Sequence, residues 1–276
     1  MIRFLLKGIA RDKNRSLIPI IIITIGVALT VLLSGFIKGM MGDMVDQNAR
    51  FETGHVKIMT RAYAKDKDQL PNDLALLGVD TLVQSLHKQF PDMSWAERIR
   101  FGGLLDVPDA TGETRAQGPA SGMAIDLFSK DSKEIERLNM KSALVSGSIQ
   151  TKSGEALIGD DCAKKFDLKI GDGFTFIGST MNGSMAFENF KVSGTIRFGS
   201  AALDKGSIII DITDAQQMMD MQNGAGEVLG YFNDGAYDDE KAQKVTENFN
   251  AQYTKNTDEF APVMQRLKEQ NNLAGY

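Results

Sequence analysis

The stretch Leu17–Ile37, LIPIIIITIGVALTVLLSGFI, carries no charge and is apolar at nearly every position. As a helix rising about 1.5 Å per residue it is roughly 30 Å long, enough to cross the hydrocarbon core of a bilayer. Its polar members, Thr24, Thr30 and Ser34, carry hydroxyls that bond back to helix carbonyls. Pro19 is expected in the first turn, where a missing N–H costs little. Met40, Met41, Met44 and Val45 continue the helical spacing through about Asn48. No later segment is comparable, so the pattern predicts one crossing followed by a folded domain of roughly 240 residues.

Past the long helix the period changes repeatedly. His55–Met59 alternates as a strand, and residues 62–77, with Pro71 and Asn72, read as a surface loop. Asp80 is expected to cap a helix through Phe90, with Leu82, Val83 and Leu86 inward. Strands are expected at Trp95–Val107 and Thr114–Ile125, joined by a turn at Asp109–Gly112. A short charged helix at Ser129–Met140, a strand at Glu155–Ile158 and a helix at Asp160–Phe166 follow. Gly171-Asp172-Gly173 turns into the strand Phe174–Gly178, and Asn182-Gly183 marks a hairpin before the strand Phe187–Phe198. The pattern then gives a strand at Ser207–Ile212 and a helix capped by Thr213 or Asp214 through Met221. A strand at Glu227–Phe232 and a helix at Asp238–Tyr253 come next. Phe260, Val263, Met264 and Leu267 lie at helical spacing, so Asp258–Lys268 reads as one more helix.

These elements predict an α+β architecture: one N-terminal transmembrane helix, then an α/β sandwich subdomain interrupted by a mostly β insertion. The expected divisions are a basic segment at 1–15, the transmembrane helix at 16–38 and a helical stalk at 39–54. The α/β subdomain takes 55–127 and 205–255, the inserted β-rich subdomain 128–204, and the last helix 256–276.

Charge orients the chain. Arg3, Lys7, Arg11, Lys13 and Arg15 precede the span, opposed by Asp12, so the short N-terminus is placed in the cytoplasm and residues after about 40 outside it. A cleaved signal has a shorter apolar region and a small-x-small site, neither of which fits. Met1, Phe4, Leu5 and Ile9 line one face of a helix suited to an anionic leaflet, unless the basic residues serve orientation alone. The chain carries a net charge of −5 although its N-terminus is basic, so the exported part is acidic. That argues against nucleic-acid binding. Cys162, the single cysteine, has no internal disulfide partner and reads as a small apolar residue on a helix.

Catalytic signatures are missing from the sequence. It has no GxxxxGK[ST] loop, no GxSxG elbow, no HExxH and no CxxC. His55 reads as structural at the entry to the sheet, and His87 as a surface residue. Asp160, after Gly159, reads as a helix cap, and Asp238-Asp239-Glu240 as a favourable helix N-terminus. No catalytic, cofactor or metal site is expected. Asn182-Gly183-Ser184 is formally a glycosylation sequon, of use only in a eukaryotic secretory context.

The segment EALIGDDCAKKFDLKIGDGFTFIG (155–178) resembles a signature of exported domains in FtsX-like ABC transporter permeases, of the MacB, LolC and LolE type. Other segments match in order: TGHVKIMTRAY (53–63), RIRFGGLLDV (98–107) and FKVSGTIRFGSAALDKGSIIIDITDAQQMM (190–219). The resemblance implies a non-catalytic permease subunit of the bacterial inner membrane with its main domain in the periplasm. It implies that a separate cytoplasmic ATP-binding subunit drives a pair of permeases, either two copies or a copy and a sister permease. Thr30–Asn48 is then a lever for lipoprotein release or for export of a small molecule or peptide. In the lipoprotein-release branch a loop of the inserted subdomain contacts a periplasmic carrier. By that likeness the tip Met181, Asn182, Gly183, Ser184 and Met185 is a candidate contact for a carrier or outer-membrane component, against core packing of Met181 and Met185. Family permeases carry three more membrane helices, so the resemblance also implies the N-terminal part of a longer or split subunit. The alternative is a stand-alone, single-pass periplasmic binding or scaffold protein.

Overall fold

The computed structural model describes residues 13–149, 152–199, 204 and 206–270. The chain forms two compact units, Met1–Asn48 and Ala49–Tyr276. In the first, α1 (Lys13–Asn48) is one helix, about 54 Å long at 1.5 Å per residue. It is long and apolar enough to cross a membrane, and its large apolar side chains from Leu17 to Ile37 are exposed. The Thr30 hydroxyl donates to the Gly26 carbonyl at 2.8 Å. Pro19 lies beyond the first turn, because the helix already begins at Lys13, and it leaves the Arg15 carbonyl without its usual donor. The expected amphipathic face of Met1, Phe4, Leu5 and Ile9 lies outside the described residues.

In the second unit the elements run β1 (Val56–Thr60), β2 (Leu76–Leu77), α2 (Val79–Gln89), β3 (Met93–Pro108), β4 (Thr114–Ile125), β5 (Leu144–Gly147) and β6 (Glu155–Gly159). Then come α3 (Asp160–Phe166), β7 (Gly173–Ser179), β8 (Met185–Ile196), β9 (Ser207–Asp211), α4 (Ile212–Met218), β10 (Gly224–Ala225), β11 (Glu227–Phe232), α5 (Asp239–Ala251) and β12 (Pro262–Arg266). The main sheet has the order β12-β1-β11-β3-β4-β9-β6-β8-β5, with β7 paired to both β3 and β8. That double pairing closes β3, β4, β9, β6, β8 and β7 into a ring. The strands of 128–204 are therefore bonded into the same sheet as those before and after them.

Alternate residues point into the ring, as the period of a strand dictates. Ile99, Phe101 and Leu105 of β3 meet Phe174 and Phe176 of β7, Phe190 of β8 and Ile208 of β9 in one buried core. Two inward positions are glycine because neighbours crowd them. A Cβ on Gly122 would lie 1.9 Å from the Phe101 ring, and one on Gly103 would meet the Ile177 carbonyl oxygen of β7 at 2.3 Å and the Phe176 ring at 2.6 Å.

β3 is long enough to serve both the ring and an open extension of the same sheet. Its first half pairs with β11 over Met93–Arg98, and β1 and β12 extend the sheet from there. Val79 and Leu86 of α2 and Ala242 and Phe249 of α5 bury against it. The Asp238 carboxylate caps α5, accepting from the N–H of Glu240 at 3.0 Å and of Lys241 at 3.1 Å. Asp238→Ala should cost about 1 kcal/mol, read as a lower Tm in thermal unfolding. An unchanged Tm would mean that the cap contributes nothing.

Several expected elements differ. The helix expected at Asp258–Lys268 is instead strand β12, antiparallel to β1, with Pro262 at its first position. A proline there, on an edge strand, needs no ladder donor. Helix follows only at Leu267–Gln270, and the expected polar end at Asn271-Asn272 lies outside the described residues. Ser129–Met140 is broken into Glu134–Arg137 and Met140–Ala143 by Asn139, which has φ 51°. Residues 62–77 begin within a helical turn, Arg61–Lys65, rather than as plain loop. Gly78, not Asp80, precedes α2, and Asp211 caps α4 by accepting from Thr213 N–H at 2.9 Å. Asp160 does not cap α3; its carboxylate takes the Lys164 ammonium at 2.8 Å and the Arg197 guanidinium.

Candidate functional site

The first and last described segments of the folded unit lie side by side. The chain enters through a π-helical turn, Ala49–Thr53, and leaves through β12 and Leu267–Gln270. Leu267 N–H donates to the His55 carbonyl and Gln270 Nε2 to the Thr53 carbonyl, both at 3.2 Å. Gly54 makes the bend into β1 with φ +59°, where a Cβ would meet the Val56 carbonyl oxygen at 2.6 Å.

The sheet beside this turn presents buried charge. Arg98 on β3 stands opposite Glu227 on β11, and Lys57 on β1 opposite Leu229, so the three share one face. Arg98 is 1% exposed and Glu134 2%. Arg98 Nε donates to Glu134 Oε2 at 2.8 Å, and its Nη1 to the Phe51 carbonyl at 3.1 Å. The Arg137 guanidinium pairs with the other Glu134 oxygen and lies 3.9 Å from the centre of the Tyr231 ring. The Tyr231 hydroxyl in turn donates to the Arg50 carbonyl at 3.4 Å. A second buried pair, Lys57–Glu227, closes at 2.8 Å. The carbonyls of Arg50, Phe51 and Thr53 thus each accept from a side chain anchored in the sheet or at the exit.

The electrostatics follow from burial. Desolvation lowers the Lys57 ammonium below its ordinary range, and Glu227 offsets this only in part. Burial pushes the Glu134 carboxyl up, but the Arg98 and Arg137 charges together outweigh it and hold it below the ordinary range. Burial raises the Tyr231 phenol to about 12. The arrangement fastens backbone.

The residues expected to be structural are so placed. His55 is buried, and its Nδ1 accepts from Phe232 N–H at 3.0 Å. His87 is exposed on α2. Cys162 is fully buried on α3, where burial raises its thiol to about 11. Among the described residues no group of three or more His, Cys, Asp or Glu could hold a metal ion. The tip Met181–Met185 divides. Met181 packs against the core, with its N–H on the Met219 carbonyl at 2.8 Å. Asn182 Nδ2 donates to Asp220 at 3.0 Å, and Gly183 turns the chain at φ +78°. Met185 is 68% exposed, with Phe187 beside it at 59%.

Residues 16–248 match the family described as MacB-like periplasmic core domain. The chain belongs to that family. Its fold is also similar to the crystal structure of the periplasmic region of MacB from Actinobacillus actinomycetemcomitans, with TM-score 0.50 at 12% identity, covering 79% of this chain and 91% of that one. Comparison with curated protein sequences finds no match. Membership makes the chain an ABC transporter permease component of the MacB-like kind, built as one apolar N-terminal helix and a sheet-rich domain.

Sequence reasoning missed the charged junction of this MacB-like domain. Its signal was present in the strands themselves: Lys57 between Val56 and Ile58, Glu97-Arg98 before Ile99, and Glu227 before Val228. Charges of both signs in otherwise apolar strands are unusual, although the strands alone do not say what covers them.

Proposed function

We propose that the chain is a permease component that couples ATP hydrolysis by a separate cytoplasmic subunit to movement outside the inner membrane. The work done is release of a lipoprotein or export of a small molecule or peptide, and the chain itself is non-catalytic. The junction carries this reading. A displacement of α1 reaches the folded unit through Ala49–Thr53, and side chains of the sheet hold the carbonyls of that turn, so the turn moves with the sheet. The N-terminus is cytoplasmic, and Thr30–Asn48 acts as the lever. A second copy or a sister permease completes the pair, and a periplasmic carrier or outer-membrane component meets the tip at Met181–Met185, chiefly through Met185.

The full chain, purified in mild detergent from the membranes of its own host, should bring down a P-loop ATPase in fixed ratio. In intact spheroplasts, Asn182→Cys should react with a membrane-impermeant maleimide while the buried Cys162 does not. A chain that purifies without any ATPase overturns the coupling, and a protected Cys at that position overturns the orientation.

A further inference from the structure

Met93, Ser94, Trp95, Ala96 and Glu97 all line one cleft of about 740 Å³. A strand turns alternate side chains to opposite faces, so a cleft lined by consecutive residues runs along the strand's edge. β11 occupies one edge of β3 over Met93–Arg98. β4 occupies the other only from Arg98, which faces Ile125. Met93–Glu97 therefore keeps an open edge on which alternate residues turn N–H and C=O toward the cleft.

The cleft is acidic. Asp80, Glu97, Asp126 and Asp131 line it without an ion pair among the described residues. The lining cations are Lys133 and Arg137, the latter already bound to Glu134. The indole N–H of Trp95 is buried there without a partner. The carboxylates are too dispersed to gather round a metal ion.

We propose that this cleft binds an extended peptide segment carrying a basic side chain, added to the open edge of β3 where β4 leaves off. Main-chain bonds to Met93–Glu97 supply affinity, and the carboxylates select lysine or arginine. Burial, with Asp80 and Asp126 alongside, raises the Glu97 carboxyl to about 7. It is faced by Asp80 and His87 from α2 and by Asp126, Asp131 and Lys133 from the segment after β4; α4 presents no charge to it. A raised carboxyl favours the fold at low pH, and that advantage is lost as pH rises through about 7. An incoming cation would relieve the cost of ionising Glu97. The inference does not depend on the coupling reading.

Trp95 is the one tryptophan of the chain, so its fluorescence reports on the cleft directly. The full chain in detergent would be titrated with a capped VTRVT peptide. The expected result is a saturable change at Trp95 that is stronger near pH 8 than near pH 6. It should weaken about tenfold in Glu97→Gln, and N-methylation of alternate peptide amides should abolish it. Glu97→Gln should fold at least as stably as wild type near pH 8, so loss of binding there is not loss of fold. Equal binding by the N-methylated peptide, or by one with citrulline in place of arginine, overturns the proposal. So does an equal response to arginine amide or calcium alone, or a pH step that survives in Glu97→Gln.

Discussion

Replacing Glu134 with alanine should destabilise the folded unit by about 3–5 kcal/mol. The change removes the carboxylate that holds both Arg98 and Arg137, and Arg98 is 1% exposed with its Nη2 already unpartnered. A guanidinium cannot neutralise itself by losing its proton, so it stays buried and charged. The Glu134 carboxyl is depressed in the fold, so its contribution is present above the unfolded value and is lost as pH falls through the lower, folded one. The gap between wild type and Glu134→Ala should therefore be full at neutral pH and close in acid. Urea unfolding followed at Trp95 measures it. Glu134→Gln should recover part of the loss, and replacing Arg98, Glu134 and Arg137 together by apolar residues of similar size should recover most of it. A loss below about 1 kcal/mol in Glu134→Ala would mean that the two guanidiniums are held by something else.

The junction was the hardest part to see in the sequence, for a physical reason. Alternation says which side chains share a face, but not whether that face meets water or another part of the chain. Lys57, Arg98 and Glu227 therefore read as ordinary polar positions of a half-buried sheet. Their partners are far off in sequence: Lys57 meets Glu227, and Arg98 meets Glu134 and Phe51. The tail failed differently. Phe260, Val263, Met264 and Leu267 do lie at helical spacing, yet Val56–Thr60 offers an unpaired edge and β12 satisfies it. Tertiary pairing overrode the local period. What local chemistry alone decides was legible. The end of α1 at Asn48, the bounds of β4 and β11, the Asp238 cap and the turns at Asp109–Gly112 and Asn182-Gly183 all fall where short-range rules put them. The ring of six strands was not legible, because β7 closes it on β3 through pairs at Leu104, Leu105 and Asp106 only.

That ring makes the second large prediction. Phe101→Ala should cost about 3–5 kcal/mol, the usual result of emptying a buried aromatic site. Phe101 is 2% exposed and packs edge-on against Phe176 at 5.0 Å. Gly122→Ala, directly opposite, should cost about 1–3 kcal/mol by overpacking, since the new methyl would fall inside the Phe101 ring. The two effects should not add. Gly122 does not sit in the left-handed region, so alanine is tolerated there by the backbone once the ring is gone. In the Phe101→Ala background, Gly122→Ala should be neutral or stabilising by up to about 1 kcal/mol, through reduced freedom of the unfolded chain and partial filling of the cavity. A double-mutant cycle in urea reads the coupling as the difference between the two Gly122→Ala effects, expected at about 1–4 kcal/mol. Strict additivity would mean that Gly122 is needed for the path of β4 itself and not for the ring it accommodates. A coupling of the expected size would place the closure of the barrel in one ring-into-glycine contact between neighbouring strands. The long β3 can then bend from the open sheet into the ring because β4 leaves room for Phe101 at the corner.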